Sequence, residues 1–421
     1  MSSRRHFLRA ISSASLAAIL AACAAPPPRK AARVVVVGGG FGGATAAKYL
    51  RMWSAGKVAV TLIERAPAFV SCPLSNLVVG GFRGIDELTR SHQQLARRWG
   101  VRVVLDEASA IDLEGREVRT RSGARFAGEH LVLSPGVDFI AGAVPGLEAD
   151  DTRVPHAWKA GAQTQLLHAQ LHAMADGGVF AIHIPPAPFR CPPGPYERAC
   201  VVADWLRGAR PRSKVLVLDS NAEIQSKKRL FTAAFASYGD LIEYRPDSRL
   251  LALDPAQRRL ELEFDSVTAD VLNVIPPMRA GRIAVEAGLP LINGRWVDVD
   301  WLSLQARGVP GVHVLGDALA AAPGMPKSGH MANQHGKLAA AAILNALDGR
   351  PPDAAPVLMN TCYSFVDHKQ VIHVASVHQF DAASAQPLPV AGAGGVSAAP
   401  SLEEGFAAWA WARNIWADML D

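Results

Sequence analysis

Apolar and polar positions follow two rhythms along this chain, and their order predicts an α/β protein. The run Arg33-Val34-Val35-Val36-Val37 has no polar residue after its first position, the mark of a strand buried on both faces. A helical stretch over 42–53 follows, then a second apolar run over 58–63. Similar short runs recur at 131–133, Val179–Ile184, 214–218 and 312–315, and the stretch at about 330–347 has a helical period. Short buried strands alternating with helices predict parallel sheets with helices on their faces.

The connections carry the chemistry. The first strand runs into Gly38-Gly39-Gly40-Phe41-Gly42-Gly43, where Gly38, Gly40 and Gly43 match G-x-G-x-x-G. A helix follows, and the second strand ends in Glu64, about 20 residues on, which completes a dinucleotide fingerprint. The glycines admit a pyrophosphate to the helix N-terminus, and Glu64 can accept from ribose hydroxyls. Far downstream a strand ends in Gly316-Asp317. A plain strand-end turn is one reading. Its place at the end of a fingerprint domain points instead to a flavin ribityl chain, and hence to FAD. Met325-Pro326-Lys327-Ser328-Gly329 then leads into the late helix, whose N-terminus would favour an anionic flavin ring.

Where a second glycine turn is due, after Val179–Ile184, the chain instead reads Arg190-Cys191-Pro192-Pro193-Gly194-Pro195-Tyr196-Glu197-Arg198. Pro185, Pro186 and Pro188 block close approach of a second pyrophosphate, so no nicotinamide site is expected. The chain has five cysteines, Cys23, Cys72, Cys191, Cys200 and Cys362. There is no C-x-x-C-H, so no haem is attached to this chain and electrons must pass to another molecule. Cys200 reads as core packing. The histidines show no metal spacing.

Composition fits a folded chain, with 49% apolar and 19% charged residues. Of 43 Lys and Arg, five (Arg4, Arg5, Arg9, Arg29, Lys30) lie in residues 1–30, which hold no acid; the remainder balances the 38 Asp and Glu. The net charge of +5 therefore belongs to a leader and makes no case for nucleic-acid binding. Ser3-Arg4-Arg5-His6-Phe7-Leu8 is a twin-arginine signal, and the apolar stretch at 10–22 is too short to span a membrane. Export to the periplasm is expected. Leu20-Ala21-Ala22-Cys23 reads either as a lipoprotein site that would anchor Cys23 or as ordinary cleavage. At the other end, Phe406, Trp409, Arg413, Trp416 and Leu420 recur at helical spacing and predict a packed helix face, with Trp411 off it.

Together these motifs resemble the flavoprotein subunit of flavocytochrome c sulfide dehydrogenase. The resemblance runs from Val34 to the C-terminus and includes Ser71-Cys72 through Asn76, Phe189 through Ala199, Ile275-Pro276-Pro277, Met325 through Gly329, and Asn360-Thr361-Cys362-Tyr363-Ser364. It implies two Rossmann-like dinucleotide-binding domains of the glutathione-reductase type and a C-terminal α+β interface domain. The expected division is a leader at 1–30, an FAD-binding domain at 33–144 and 281–352, a second unit at 145–280 and a last one at 353–421. It also implies FAD joined to Cys72 by an 8α-S-cysteinyl thioether and a redox disulfide between Cys191 and Cys362. Sulfide would be the substrate and a c-type cytochrome subunit the electron acceptor. Exchange at the disulfide wants a positive neighbour, for which Arg190 and Arg198 are candidates. Glu197 is an acid/base candidate, or simply a carboxylate favoured at a helix start. Gly38, Gly40, Gly43, Glu64, Gly316, Asp317 and Lys327 would hold the cofactor. The rival within the same fold is a sulfide:quinone reductase at a membrane surface.

Overall fold

A computed structural model describes residues 31–148 and 151–421. The twin-arginine motif and Cys23 lie outside the described residues. β1 (Arg33–Val37) buries all four of its valines. α1 (Phe41–Trp53) starts directly from the glycine turn. β2 (Ala59–Glu64), β3 (Arg102–Leu105) and β4 (His130–Leu133) join β1 in a parallel sheet. The chain then leaves through Val137–Phe139, which pairs antiparallel with the returning strand Met278–Ala280.

Between those two crossings lies a second parallel sheet. It contains β5 (Val179–Ile184), β6 (Lys214–Asp219), β7 (Ile242–Arg245) and β8 (Val271–Val274), in the order β7-β6-β5-β8. α2 (Gly194–Ala209) follows β5, and α3 (Lys228–Ser237) follows β6. α2 is tied down by Tyr196, whose hydroxyl donates to Asp219 at 2.7 Å. Cys200, on the buried face of α2, is fully buried in the core.

On its return the chain adds β9 (Val312–Val314) to the free edge of β4, giving the first sheet the order β9-β4-β1-β2-β3. α4 (Gly329–Leu347) crosses α1 at close range. A Cβ on Gly336 would lie 2.5 Å from the Gly42 carbonyl oxygen, so only glycine allows this crossing. The last segment is an antiparallel sheet of β10 (Val357–Phe365), β11 (Val371–Asp381) and β12 (Gln386–Pro389), followed by α5 (Leu402–Leu420). Residues Arg33–Asp421 form one compact unit. No helix among the described residues is long and apolar enough to cross a membrane.

One expected face is corrected. α5 buries Gly405, Ala408, Ala412, Ile415, Trp416, Met419 and Leu420, while Phe406 is 76% exposed and Arg413 is exposed. Small residues set this face because the backbone approaches closely: a Cβ on Gly405 would lie 2.1 Å from the Lys369 carbonyl oxygen.

Candidate active site

The first sheet presents its glycine turn at one end of a cleft. Gly38 has φ +94°, and a Cβ there would stand 2.3 Å from the Ser134 carbonyl oxygen; one on Gly43 would stand 1.9 Å from that of Gly38. Both positions are closed to any side chain. Gly40 differs, with nothing within 4 Å of its Cβ direction, and it lines the cleft. Glu64 accepts from the Gly39 amide at 2.5 Å and from the Ala66 amide at 2.8 Å, which fixes its carboxylate behind the turn. Asp317 lines the same cleft from the end of β9, and its buried Oδ1 has no hydrogen-bond partner. Burial raises the pKa of its carboxyl, against the pull of Arg190 and Lys327. An open glycine wall and an unpartnered buried acceptor fit FAD, with the pyrophosphate at Gly40 and ribityl hydroxyls at Asp317.

Three cysteines line this cleft: Cys72, Cys191 and Cys362. The Cys72 sulfur receives the Ala160 amide at 3.4 Å and an Arg190 guanidinium nitrogen at 3.5 Å. Cys191 sits in the left-handed region, φ +57°, at the head of the proline loop. Its amide donates to the Lys327 carbonyl at 2.9 Å, and its carbonyl accepts from the Gly194 amide at 2.9 Å. The loop is pinned by the Trp158 indole, which donates to the Arg190 carbonyl at 3.2 Å. Cys362 lies on β10, where the Asn360 side-chain amide donates to its sulfur at 3.3 Å. Asn360 in turn accepts from Ser328, the N-cap of α4, at 2.6 Å. Among the described residues Cys72, Cys191, Cys200 and Cys362 carry no disulfide.

Charge is unevenly shared around them. Burial pushes the Cys191 thiol up to about 12, with Cys362 and Glu197 adding to the rise and Arg190 and Lys227 opposing it. Burial also raises Cys362, but there Lys227 is the largest opposing influence. Glu197, on the first turn of α2, is pushed up to about 7 by burial, although the Phe365 amide donates to it at 3.2 Å. Lys227 is drawn down by burial, with Cys362 and Glu197 favouring its charged form.

Three family models match the chain. "Sulfide dehydrogenase [flavocytochrome c] flavoprotein chain, central" covers residues 164–276, and "Flavocytochrome c sulphide dehydrogenase, flavin-binding" covers 354–420. "Pyridine nucleotide-disulphide oxidoreductase" covers 32–173. The sulfide dehydrogenase flavoprotein chain of Chlorobaculum thiosulfatiphilum is 63% identical over 38 residues, which are 9% of this chain and 77% of that one. The chain belongs to the flavocytochrome c sulfide dehydrogenase flavoprotein family. It is a flavin-dependent oxidoreductase. The mitochondrial sulfide:quinone oxidoreductase of Mus musculus is 23% identical over 299 residues, spanning 66% of this chain and 63% of its own length. The solved sulfide:quinone oxidoreductase of Aquifex aeolicus superposes with a TM-score of 0.76 at 20% identity, covering 92% of each chain, a likeness of fold.

Within this flavocytochrome-type cleft most of the expected residues converge: Gly40, Cys72, Cys191, Glu197, Gly316, Asp317 and Cys362 all line it. Gly38, Gly43 and Glu64 shape the turn behind it. Lys327 departs from expectation. Its ammonium turns out of the cleft, donating to the Asp317 and Leu319 carbonyls and lying 3.8 Å from the centre of the Trp296 ring. Arg198 departs too. It is fully buried and spends its donors on Asn76, His156, Ala157 and Asn273. Arg190 donates to Cys72 and also opposes the rise of the Cys191 thiol, as a positive neighbour of that sulfur. The cation beside Cys362 is Lys227, which sequence reasoning missed because it opens a Lys227-Lys228-Arg229 run that looks like a solvated basic patch. Lys228 and Arg229 are indeed exposed; Lys227 is buried.

Proposed function

We propose that this protein oxidises sulfide through a Cys191–Cys362 disulfide, with FAD covalently held at Cys72, and that a c-type cytochrome takes the electrons. The observation that carries the reading is the convergence of Cys72, Cys191 and Cys362 on the one cleft that also presents Gly40 and Asp317. The comparisons support the sulfide-oxidising family. Export by the twin-arginine route, in folded and loaded form, belongs to the same proposal. So does an anchor at Cys23.

From the oxidised pair, hydrosulfide attacks Cys191 Sγ. A new sulfur–sulfur bond makes Cys191 a persulfide; the old bond breaks, and its electron pair stays on Cys362 Sγ as a thiolate. The hydrosulfide proton stays on the persulfide until the Glu197 carboxylate, in the same cleft, accepts it. FAD supplies the two-electron and one-electron chemistry that links a thiol pair to a haem. Asp317 would orient its ribityl end, Glu64 would act from behind the glycine turn it braces, and Trp158 with Gly194 closes the cleft around Cys191.

The test is steady-state reduction of cytochrome c by the FAD-loaded protein on addition of sulfide. Sulfide-dependent cytochrome reduction is expected. Reduction of a soluble quinone without cytochrome reduction would move the acceptor to the quinone class, and activity with neither would overturn the reading. The covalent link has its own check: yellow colour stays with acid-precipitated native protein and leaves Cys72→Ala.

A further inference from the structure

Lys227 is 9% exposed, and its ammonium meets only neutral acceptors: the Ser364 hydroxyl at 2.8 Å and the carbonyls of Cys362 at 3.1 Å and Ile372 at 3.5 Å. Among the described residues no carboxylate lies within ion-pair distance of it, unlike Lys159 with Asp138 or Lys214 with Glu243. A buried cation with no carboxylate in direct contact is costly, and it persists where a negative charge develops beside it. The backbone commits to this placement. Lys227 holds φ +53°, a left-handed conformation uncommon for a residue with a side chain, and its carbonyl caps α3 by accepting from the Leu230 and Phe231 amides. The second unit thus delivers one ammonium to β10, the strand that carries Cys362.

We propose that Lys227 is a positioning residue that supplies the counter-charge for the Cys362 thiolate and so sets which sulfur leaves in the exchange. This rests on the function proposed above and deepens it. When the disulfide is cleaved, the leaving sulfur is the one whose thiolate is better stabilised. Lys227 bonds the backbone carbonyl of Cys362 and is the first influence opposing the rise of the Cys362 thiol, whereas at Cys191 it stands behind Arg190; the bond's electron pair therefore goes to Cys362 and the incoming sulfur bonds to Cys191. The other groups around the pair fit this assignment. Glu197 of α2, Cys191 and Glu404 of α5 also favour the charged form of Lys227 against the burial that lowers it, and Arg190 acts on Cys191 and Cys72. Asn360 on the same strand and Ser328 at the start of α4 add neutral hydrogen-bonding support to Cys362.

The experiment follows iodoacetamide alkylation of Cys362 against pH in the reduced holoprotein, with peptides resolved by mass spectrometry. Lys227→Gln, which keeps a donor for Ser364 but no charge, should raise the Cys362 midpoint by about one pH unit, a tenfold slower reaction below it. Lys227→Arg should restore much of the native profile. An unchanged Cys362 profile in folded Lys227→Gln would overturn the inference. If that variant fails to fold, the native protein still decides: Cys362 must ionise at lower pH than Cys191, and equal or reversed midpoints would overturn it. Thiol ionisation is read without sulfide or turnover. A failure of the disulfide mechanism, seen as sulfide-dependent flavin reduction surviving Cys191→Ser, is therefore a separate result.

Discussion

After β1 the chain makes a glycine turn into α1; after β5, at the same point of its own sheet, it makes a proline-rich loop into α2. Both sheets are parallel, both strands are buried, and both helices start at the strand's C-terminal end. The connections differ in what they leave open. The first leaves a bare wall at Gly40, where backbone can meet a phosphate. In the second, Gly194 is crowded instead: a Cβ there would lie 3.0 Å from the Cys191 sulfur and 2.8 Å from the Trp158 ring. Under the proposed function one fold would serve two chemistries, with the choice made in a loop of a few residues.

That comparison can be broken most severely at the glycine turn. Gly43→Val places carbon where the Gly38 carbonyl already stands, and the purified protein is expected to lack flavin absorbance altogether. Retained yellow colour would remove the turn from the cofactor site. Next in size is Arg198→Leu in the second unit. It strips donors from four buried acceptors, and a loss of roughly 3 kcal/mol or more is expected in urea unfolding. A loss under 1 kcal/mol would mean the buried guanidinium does not hold α2 in place.

A smaller effect concerns Glu197. Its folded-state pKa is raised to about 7 from the ordinary 4.5, so the folded state holds a proton that the unfolded chain releases. Its stabilisation is full below the unfolded value and is lost as pH rises through the folded one. Urea midpoints of the native protein should therefore fall between pH 5 and pH 8, and Glu197→Gln should flatten that decline. A parallel decline in the variant would assign it to other groups. Least of all, Phe406→Ser on the exposed start of α5 should change stability by no more than about 0.5 kcal/mol. A larger loss would restore Phe406 to the packed face.

The sheets and the cleft were legible because their signals are local. Valine runs fix buried strands, and a glycine turn followed by a helix fixes a phosphate-facing end. Cys72, Cys191, Glu197 and Cys362 were legible through motifs rather than periodicity. What escaped was decided by three-dimensional crowding. Lys227 is buried while its neighbour Lys228 pairs with Glu223 in solvent, a split that no property of the run reveals. The α5 face was misread because large side chains were weighted over Gly405, Ala408 and Ala412, whose smallness permits the contact. Lys327 was expected at the cofactor, and its ammonium meets the Asp317 and Leu319 carbonyls and the Trp296 ring beside the cleft.

In the proposed function the proline loop replaces a nicotinamide site with a sulfur exchange site. Its most direct test is the flavin absorbance of the anaerobic holoprotein after rapid mixing with sulfide or with NADH. Bleaching of the native protein by sulfide but not by NADH is expected, and no sulfide bleaching of Cys191→Ser. Equal bleaching of native and Cys191→Ser protein by sulfide, or rapid bleaching by NADH, would contradict it.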